Sequence, residues 1–265
     1  MTKLPKIFAI VVENKGGVGK SLIAQIVAET LRDLDDNKIP RNRVLMMDSD
    51  LITKSTLRTD TSTVPVDFSR PESLGFIGEA ALDLFKGEYD AVVLDTAAGE
   101  EARIEDILIY LSKIFARQPD AEIVVFRPIT LSSLVQENAI SFALDSIPRG
   151  IRTIFVRNLG QGRLDSDFSA WRQNPERKRA LEMGAGECAL DNAGTQYADE
   201  ANSYGLSIAA AALGRFDLAL DGMSERASRV FNTRIQIFLS EWIGNQVERF
   251  RKTIIEVIQR VSPNS

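Results

Sequence analysis

Three glycines, two lysines and a hydroxyl fall within the seven residues Lys15-Gly16-Gly17-Val18-Gly19-Lys20-Ser21, directly after the apolar run Ile7 to Val12 and directly before a stretch of helical period. Glycines in that setting let successive backbone N–H groups converge on phosphate oxygens, and the following helix adds the positive end of its dipole. Lys20 supplies charge for β and γ phosphates, and the Ser21 hydroxyl can ligate magnesium. Residues 16 to 21 therefore form a candidate phosphate-binding loop.

Carboxylates occur at two other strand ends. Val44-Leu45-Met46-Met47 runs into Asp48-Ser49-Asp50, and Ala91-Val92-Val93-Leu94 runs into Asp95, followed by Thr96-Ala97-Ala98-Gly99. Open α/β sheets bind ligands at the carboxyl edge, where these aspartates would lie. Asp95 suits a magnesium ion, which keeps much of its water and takes one or two carboxylates plus phosphates. A buried carboxylate there calls for a nearby cation. Gly99 gives the next loop freedom to bring a backbone N–H toward a γ phosphate. Asn158, past the run Thr153 to Val156, carries an amide that can both donate and accept.

Composition removes competing chemistries. With no histidine and one cysteine, Cys188, the chain has no Ser/His or Cys/His nucleophile pair, no His-ligated zinc, no Cys-ligated cluster and no intrachain disulfide. The balance of 32 Lys+Arg against 37 Asp+Glu argues against a wholly basic nucleic-acid binder. The charge is uneven: Arg152, Arg157, Arg163, Arg172, Arg177, Lys178 and Arg179 outnumber Asp165, Asp167 and Glu176 in the same stretch. Apolar runs such as Ala209 to Leu213 fall far short of the roughly 20 residues that span a bilayer. Residues Met1 to Ile10 lack the pattern of a secretory signal, so a cytoplasmic location is expected.

The elements that must position these groups alternate in type. Short, non-alternating apolar runs at Ile7 to Val12, Val44 to Met47, Ala91 to Leu94, Glu122 to Phe126 and Thr153 to Val156 read as strands buried on both faces. Ser21 to Leu34, Pro71 to Phe85, Arg103 to Arg117 and Leu131 to Ser146 read as crossover helices. A further strand is expected at Glu187 to Leu190, and helices at Thr195 to Ala212 and Glu225 to Val261. The expected fold is α/β: a doubly wound, mostly parallel sheet flanked by helices, in a single domain over 1–265. A charge-rich but structured excursion around 160–180, anchored by Trp171, and a long C-terminal helical segment around 225–261 complete it.

The loop departs from the general phosphate-loop pattern in having Asn14 where the first glycine usually stands, followed by an additional lysine, Lys15. In this it resembles the deviant Walker A loop of the ParA/MinD family of ATPases, a branch of the SIMIBI-type P-loop NTPases. The resemblance implies ATP and Mg²⁺ as cofactors, and a dimer in which two subunits face each other across two nucleotides. Lys15 is then the residue that reaches phosphates bound by the partner. Asp50 positions or activates the attacking water, Asp48 lies near the metal shell with Ser21 and Asp95, and Asn158 contacts adenine. The Arg127-Pro128 pair and the segment Ala189 to Asp191 correspond to positions that line the sugar and base pocket in the family.

The family's branches imply different roles. A short ParA-like protein would use the ATP cycle to partition or position DNA, with the basic stretch around Arg172 to Arg179 as a candidate nonspecific DNA surface. A TraL-like conjugation or secretion accessory would act as an assembly switch. A MinD-like protein would cycle on membranes through an amphipathic tail. The segment Trp242 to Val261 is amphipathic, but its apolar face continues the stripe Phe231 to Leu239, which favours packing on the body and disfavours membrane contact. Slow hydrolysis without an activating protein partner is expected, because part of the catalytic charge would arrive only with assembly.

Overall fold

The computed structural model describes residues 5–33, 43–51, 63–160 and 163–260. In chain order the elements are β1 (Lys6–Val11), α1 (Lys20–Asp33), β2 (Val44–Asp48), β3 (Val64–Pro65), α2 (Ser73–Lys86), β4 (Ala91–Asp95), α3 (Glu101–Phe115), β5 (Ala121–Ile129) and α4 (Ser133–Ser146). There follow β6 (Arg152–Asn158), α5 (Ser169–Gln173), α6 (Pro175–Glu182), β7 (Gly186–Leu190), α7 (Thr195–Ser203), α8 (Ile208–Ala212), α9 (Ser224–Val230) and α10 (Thr233–Gln259). Among the described residues seven strands form one sheet in the order β3-β2-β4-β1-β5-β6-β7, with each neighbouring pair parallel.

The run Ile7 to Val12 shows why the strands lack polar alternation. Successive side chains point to opposite faces, and both faces are covered. Ile7, Ala9 and Val11 join a core with Ile23, Ile26, Val27 and Leu31 of α1 and with Leu239, Phe250 and Ile254 of α10. Phe8, Ile10 and Val12 join the opposite core with Ile77 and Leu84 of α2 and Ile104 and Leu111 of α3. Full burial of each large apolar side chain contributes roughly 1.5–3 kcal/mol, which is why the central strands tolerate no polar face. Strand order reverses about β1: the chain runs outward through β2 and β3, returns through β4, and continues on the far side from β5. A crevice at the carboxyl ends of β1, β2 and β4 is the expected ligand position in such a sheet.

The excursion packs on the β6 side of the sheet. Trp171 is fully buried, meets Phe155 edge to face at 5.1 Å, and donates from Nε1 to Glu187 at 3.0 Å. Two expected helices are each divided. Ser207, in extended backbone, accepts from Ala210 N and starts α8, and Asn232 accepts from Ile235 N and starts α10. Both are strong N-cap residues whose side chains compete with continuation of the preceding turn. The two-residue edge strand β3, ending in Pro65, is too short to show in a periodicity reading, and proline suits an edge. Leu34 and Val261, ends of two expected helices, and the tail 262–265 lie outside the described residues.

Most of the apolar face of α10 is buried within the protein, although Phe238 near its start stays exposed. Leu239, Trp242, Val247, Phe250, Ile254 and Val257 are buried, and Arg249 makes a bidentate pair with Asp191 at 2.7 and 2.9 Å. Among the described residues no helix is long and apolar enough to cross a membrane.

Candidate functional site

β1 ends at Val11, and the next eight residues form the loop that leads into α1. Gly17 and Gly19 have φ of +69° and +89°, a region that favours glycine. At Gly19 space is also limiting, since an added Cβ would lie 2.6 Å from Nδ2 of Asn158. Val18 is buried and fixes the loop, while Gly16, Gly17, Gly19, Lys20 and Ser21 line a cavity of about 800 Å³ at the carboxyl edge of the sheet. Asp50, Thr96, Ala98 and Asn158 line the same cavity. The loop, the β2 end, the β4 end and the β6 end thus converge on one space.

Asp48 and Asp95 close β2 and β4 as register partners, and both are buried. Oδ1 of Asp48 accepts from the backbone N–H of Asp50 at 2.8 Å, which turns the chain so that Asp50 reaches the cavity. Burial pushes the Lys20 ammonium below the usual lysine range, and Asp95, Glu13, Asp50 and Glu100 oppose that shift. Nζ of Lys20 donates to the carbonyl of Lys15 at 3.3 Å. The Lys15 residue itself is exposed and does not line the cavity.

Asn158 lines the cavity but also braces its floor. Nδ2 donates to the Val18 carbonyl at 2.7 Å and Oδ1 accepts from Gly160 N at 2.8 Å. Arg127 departs from the expectation for a sugar or base contact: it is fully buried outside the cavity, where it donates to Glu13 at 3.1 Å. Asp191 is likewise held by Arg249 and Gln246, and the wall beyond β7 is formed instead by Asn192, Thr195, Gln196 and Asp199. Asp90 sits at the opposite edge of the sheet, paired with Arg43 at 2.7 Å, which fits a strand-start role.

Sequence reasoning overlooked a second polar group beside the loop. Glu13 follows the apolar run Ile7 to Val12 and Arg127 interrupts the apolar run of β5, and a charge in such a run needs a partner of opposite sign. Glu100 accepts from the hydroxyl of Ser49 and from Ala97 N at 3.1 Å. Burial raises its carboxyl above the usual range, and the hydrogen bonds from Ser49 and Ala97 oppose the shift.

The residues present fit magnesium and a polyphosphate. Among the described residues no three carboxylate or thiol side chains stand close enough to hold a metal alone. That suits an ion completed by Ser21, water and phosphate oxygens, as Mg²⁺ prefers. A lysine and two glycine-lined turns at a helix N-terminus would complement the anion.

The basic stretch is largely engaged within the chain. Arg152 pairs with Glu122, Arg157 and Arg177 with Glu187, Arg172 with Asp165, and Arg179 with Glu176. Of these pairs, Arg177–Glu187 ties the excursion to β7, and Arg157 on β6 also pairs with Asp165 at the start of the excursion.

No family model matches the chain, and a search of curated proteins finds no match.

Proposed function

We propose that the protein is a Mg²⁺-dependent ATPase that works as a nucleotide switch, forming an ATP-bound dimer. The observation that carries this reading is the convergence on one cavity of Lys20 and Ser21 at the start of α1 with Asp50, beside the buried register pair Asp48 and Asp95. Bound magnesium would neutralise phosphate charge and polarise the transferred phosphoryl group. Ser21, Asp48 and Asp95 would hold it directly or through water. Lys20 and the backbone N–H groups of the loop would bind and orient the phosphates, and Asp50, which lines the cavity, would orient a water. Such a site works by positioning and electrostatics, which is consistent with a chain that has no histidine.

Lys15 is the residue for a partner's phosphates in this reading, since it is exposed and does not line its own cavity. A cytoplasmic dimer coupled to positioning or partition of DNA is the role implied by the resemblance, with an activating protein completing the cycle. The TraL-like role, an assembly switch in conjugation or secretion, receives support from one observation. The ion pairs of Arg152, Arg157, Arg172, Arg177 and Arg179 reduce the cationic surface available to duplex DNA. Nucleotide titration of the wild type and of Lys20→Ala tests the site: the wild type should bind ATP with Mg²⁺, and the variant should lose binding or hydrolysis. Wild-type turnover in Lys20→Ala would overturn it. Binding of mixed-sequence duplex with and without ATP, at two salt concentrations, separates the two roles.

A further inference from the structure

Glu13, Arg127 and Glu101 form a charged cluster outside the cavity that the chemistry above does not use. Arg127 on β5 is completely buried and Glu13 almost so. One terminal nitrogen of Arg127 donates to Glu13 Oε2 at 3.1 Å, and the other lies 2.9 Å from Glu101 Oε1. The guanidinium rests 4.9 Å from the ring centre of Phe142 on α4, so apolar packing as well as charge fixes its plane. Glu13 Oε1 accepts from Asn14 N at 3.0 Å. Glu101 in turn accepts from the side-chain amide of Asn14, and its own N–H points to Asn14 Oδ1 at 3.4 Å.

The connectivity is specific. Glu101 is the first residue of α3 and stands two positions after Gly99, while Asn14 begins the phosphate loop. Glu100, between them, is tied through Ser49 to the segment that carries Asp48 and Asp50. Burying several charges seldom stabilises a fold more than apolar packing would, and one attested use of such a group is to specify a single arrangement.

The structure assigns to Arg127 the role of a positioning residue that fastens the start of α3 to the phosphate loop through Glu13, Asn14 and Glu101. It rests on the nucleotide reading and adds the route by which a γ phosphate is sensed. Segment 97–100 is held at both ends, so a displacement at Gly99 is passed to α3 as a whole. A fork-shaped cation is required, because a single guanidinium must engage two carboxylates at once.

Hydrogen exchange on the full chain, alone, with Mg²⁺-ADP and with Mg²⁺ plus a non-hydrolysable ATP analogue, tests this. In the wild type both nucleotides should protect residues 14–21, and only the ATP analogue should further protect 97–108. Glu101→Gln replaces a partly exposed residue and keeps an acceptor oxygen for the Asn14 side-chain amide. It should hold ADP affinity within about threefold of wild type while losing most of the ATP-specific protection at 97–108. Its kcat should fall by about tenfold or more with KM little changed. Arg127→Met should behave alike, and Arg127→Lys should restore stability but not the ATP-specific protection. Equal ATP-specific protection in Glu101→Gln and wild type overturns the assignment alone. Failure of both nucleotides to protect 14–21 in the wild type overturns the nucleotide reading and the assignment with it.

Discussion

Asp48 and Asp95 occupy matching positions at the ends of two adjacent parallel strands, so both carboxylates emerge on one side of the sheet at its carboxyl edge. Both are buried, and Asp95 is the strongest of the carboxylates that oppose the lowered pKa of Lys20. In the proposed site this pair would face the magnesium ion. Asp95→Asn should leave the ligand-free fold within ~1 kcal/mol of wild type, since the amide is isosteric and removes one of two neighbouring negative groups. The same substitution should abolish any rise in unfolding temperature caused by Mg²⁺ added with ATP. Thermal unfolding with ATP, with and without Mg²⁺, checks it; a Mg²⁺-dependent rise as large as that of wild type would contradict the role.

Lys15 contributes its carbonyl to Lys20 while its residue stays exposed. Removal of the side chain therefore leaves the local loop contact in place. Lys15→Ala should bind ATP within a few-fold of wild type yet remain monomeric, a result that sedimentation or light scattering with Mg²⁺-ATP would reveal. An ATP-dependent dimer as stable as that of wild type would sink the idea that this lysine acts across subunits.

Gly19 is limited by conformation and by space at once. Its φ is +89°, and a Cβ would press on the Asn158 amide that braces Val18. Gly19→Ala should cost ~1–3 kcal/mol in stability. Nucleotide binding should fall more steeply, because displacement of Asn158 reshapes the loop from below. Denaturant unfolding and nucleotide titration on the same preparation separate the two effects, and an alanine variant of wild-type stability would show the loop to be more compliant than its geometry implies.

What the sequence made legible follows from the range of the interactions involved. The glycine-rich turn after β1, the carboxylates at the ends of β2 and β4 and most of the sheet depend on local spacing, so the places in the fold of residues 15–21, 48, 50 and 95 could be read directly. Arg127 could not, because its partners Glu13 and Glu101 lie far away in sequence and meet it only when β1 pairs with β5 and α3 packs against β5. The same holds for the basic stretch. Its charge looked unevenly high along the chain, yet Glu122 and Glu187 reach it from neighbouring strands. The breaks before α8 and α10 were hidden by apolar periodicity that continues past Ser207 and Asn232, so the caps became visible only in the backbone.

Cys188 offers a test of the fold that does not depend on nucleotide. It is buried on β7 beneath α10, and burial pushes its thiol up from 9.0 to about 12. A raised value means that the folded protein keeps the proton while the unfolded chain releases it near pH 9. The stabilisation from the neutral thiol is therefore complete below that point and is lost as pH rises toward 12. At pH 8 the native thiolate fraction is lower than in the unfolded chain by a factor on the order of a thousand, before steric exclusion is counted. Reaction of the single thiol with a disulfide reagent should be slow in buffer, fast in denaturant, and intermediate in a variant that loosens α10, such as Trp242→Ala. That substitution removes the indole packed against Gly194 at the start of α7. Fast labelling of the native wild type at pH 8 would mean that α10 lifts from the sheet readily, and would return its apolar face to the set of surfaces open to a partner.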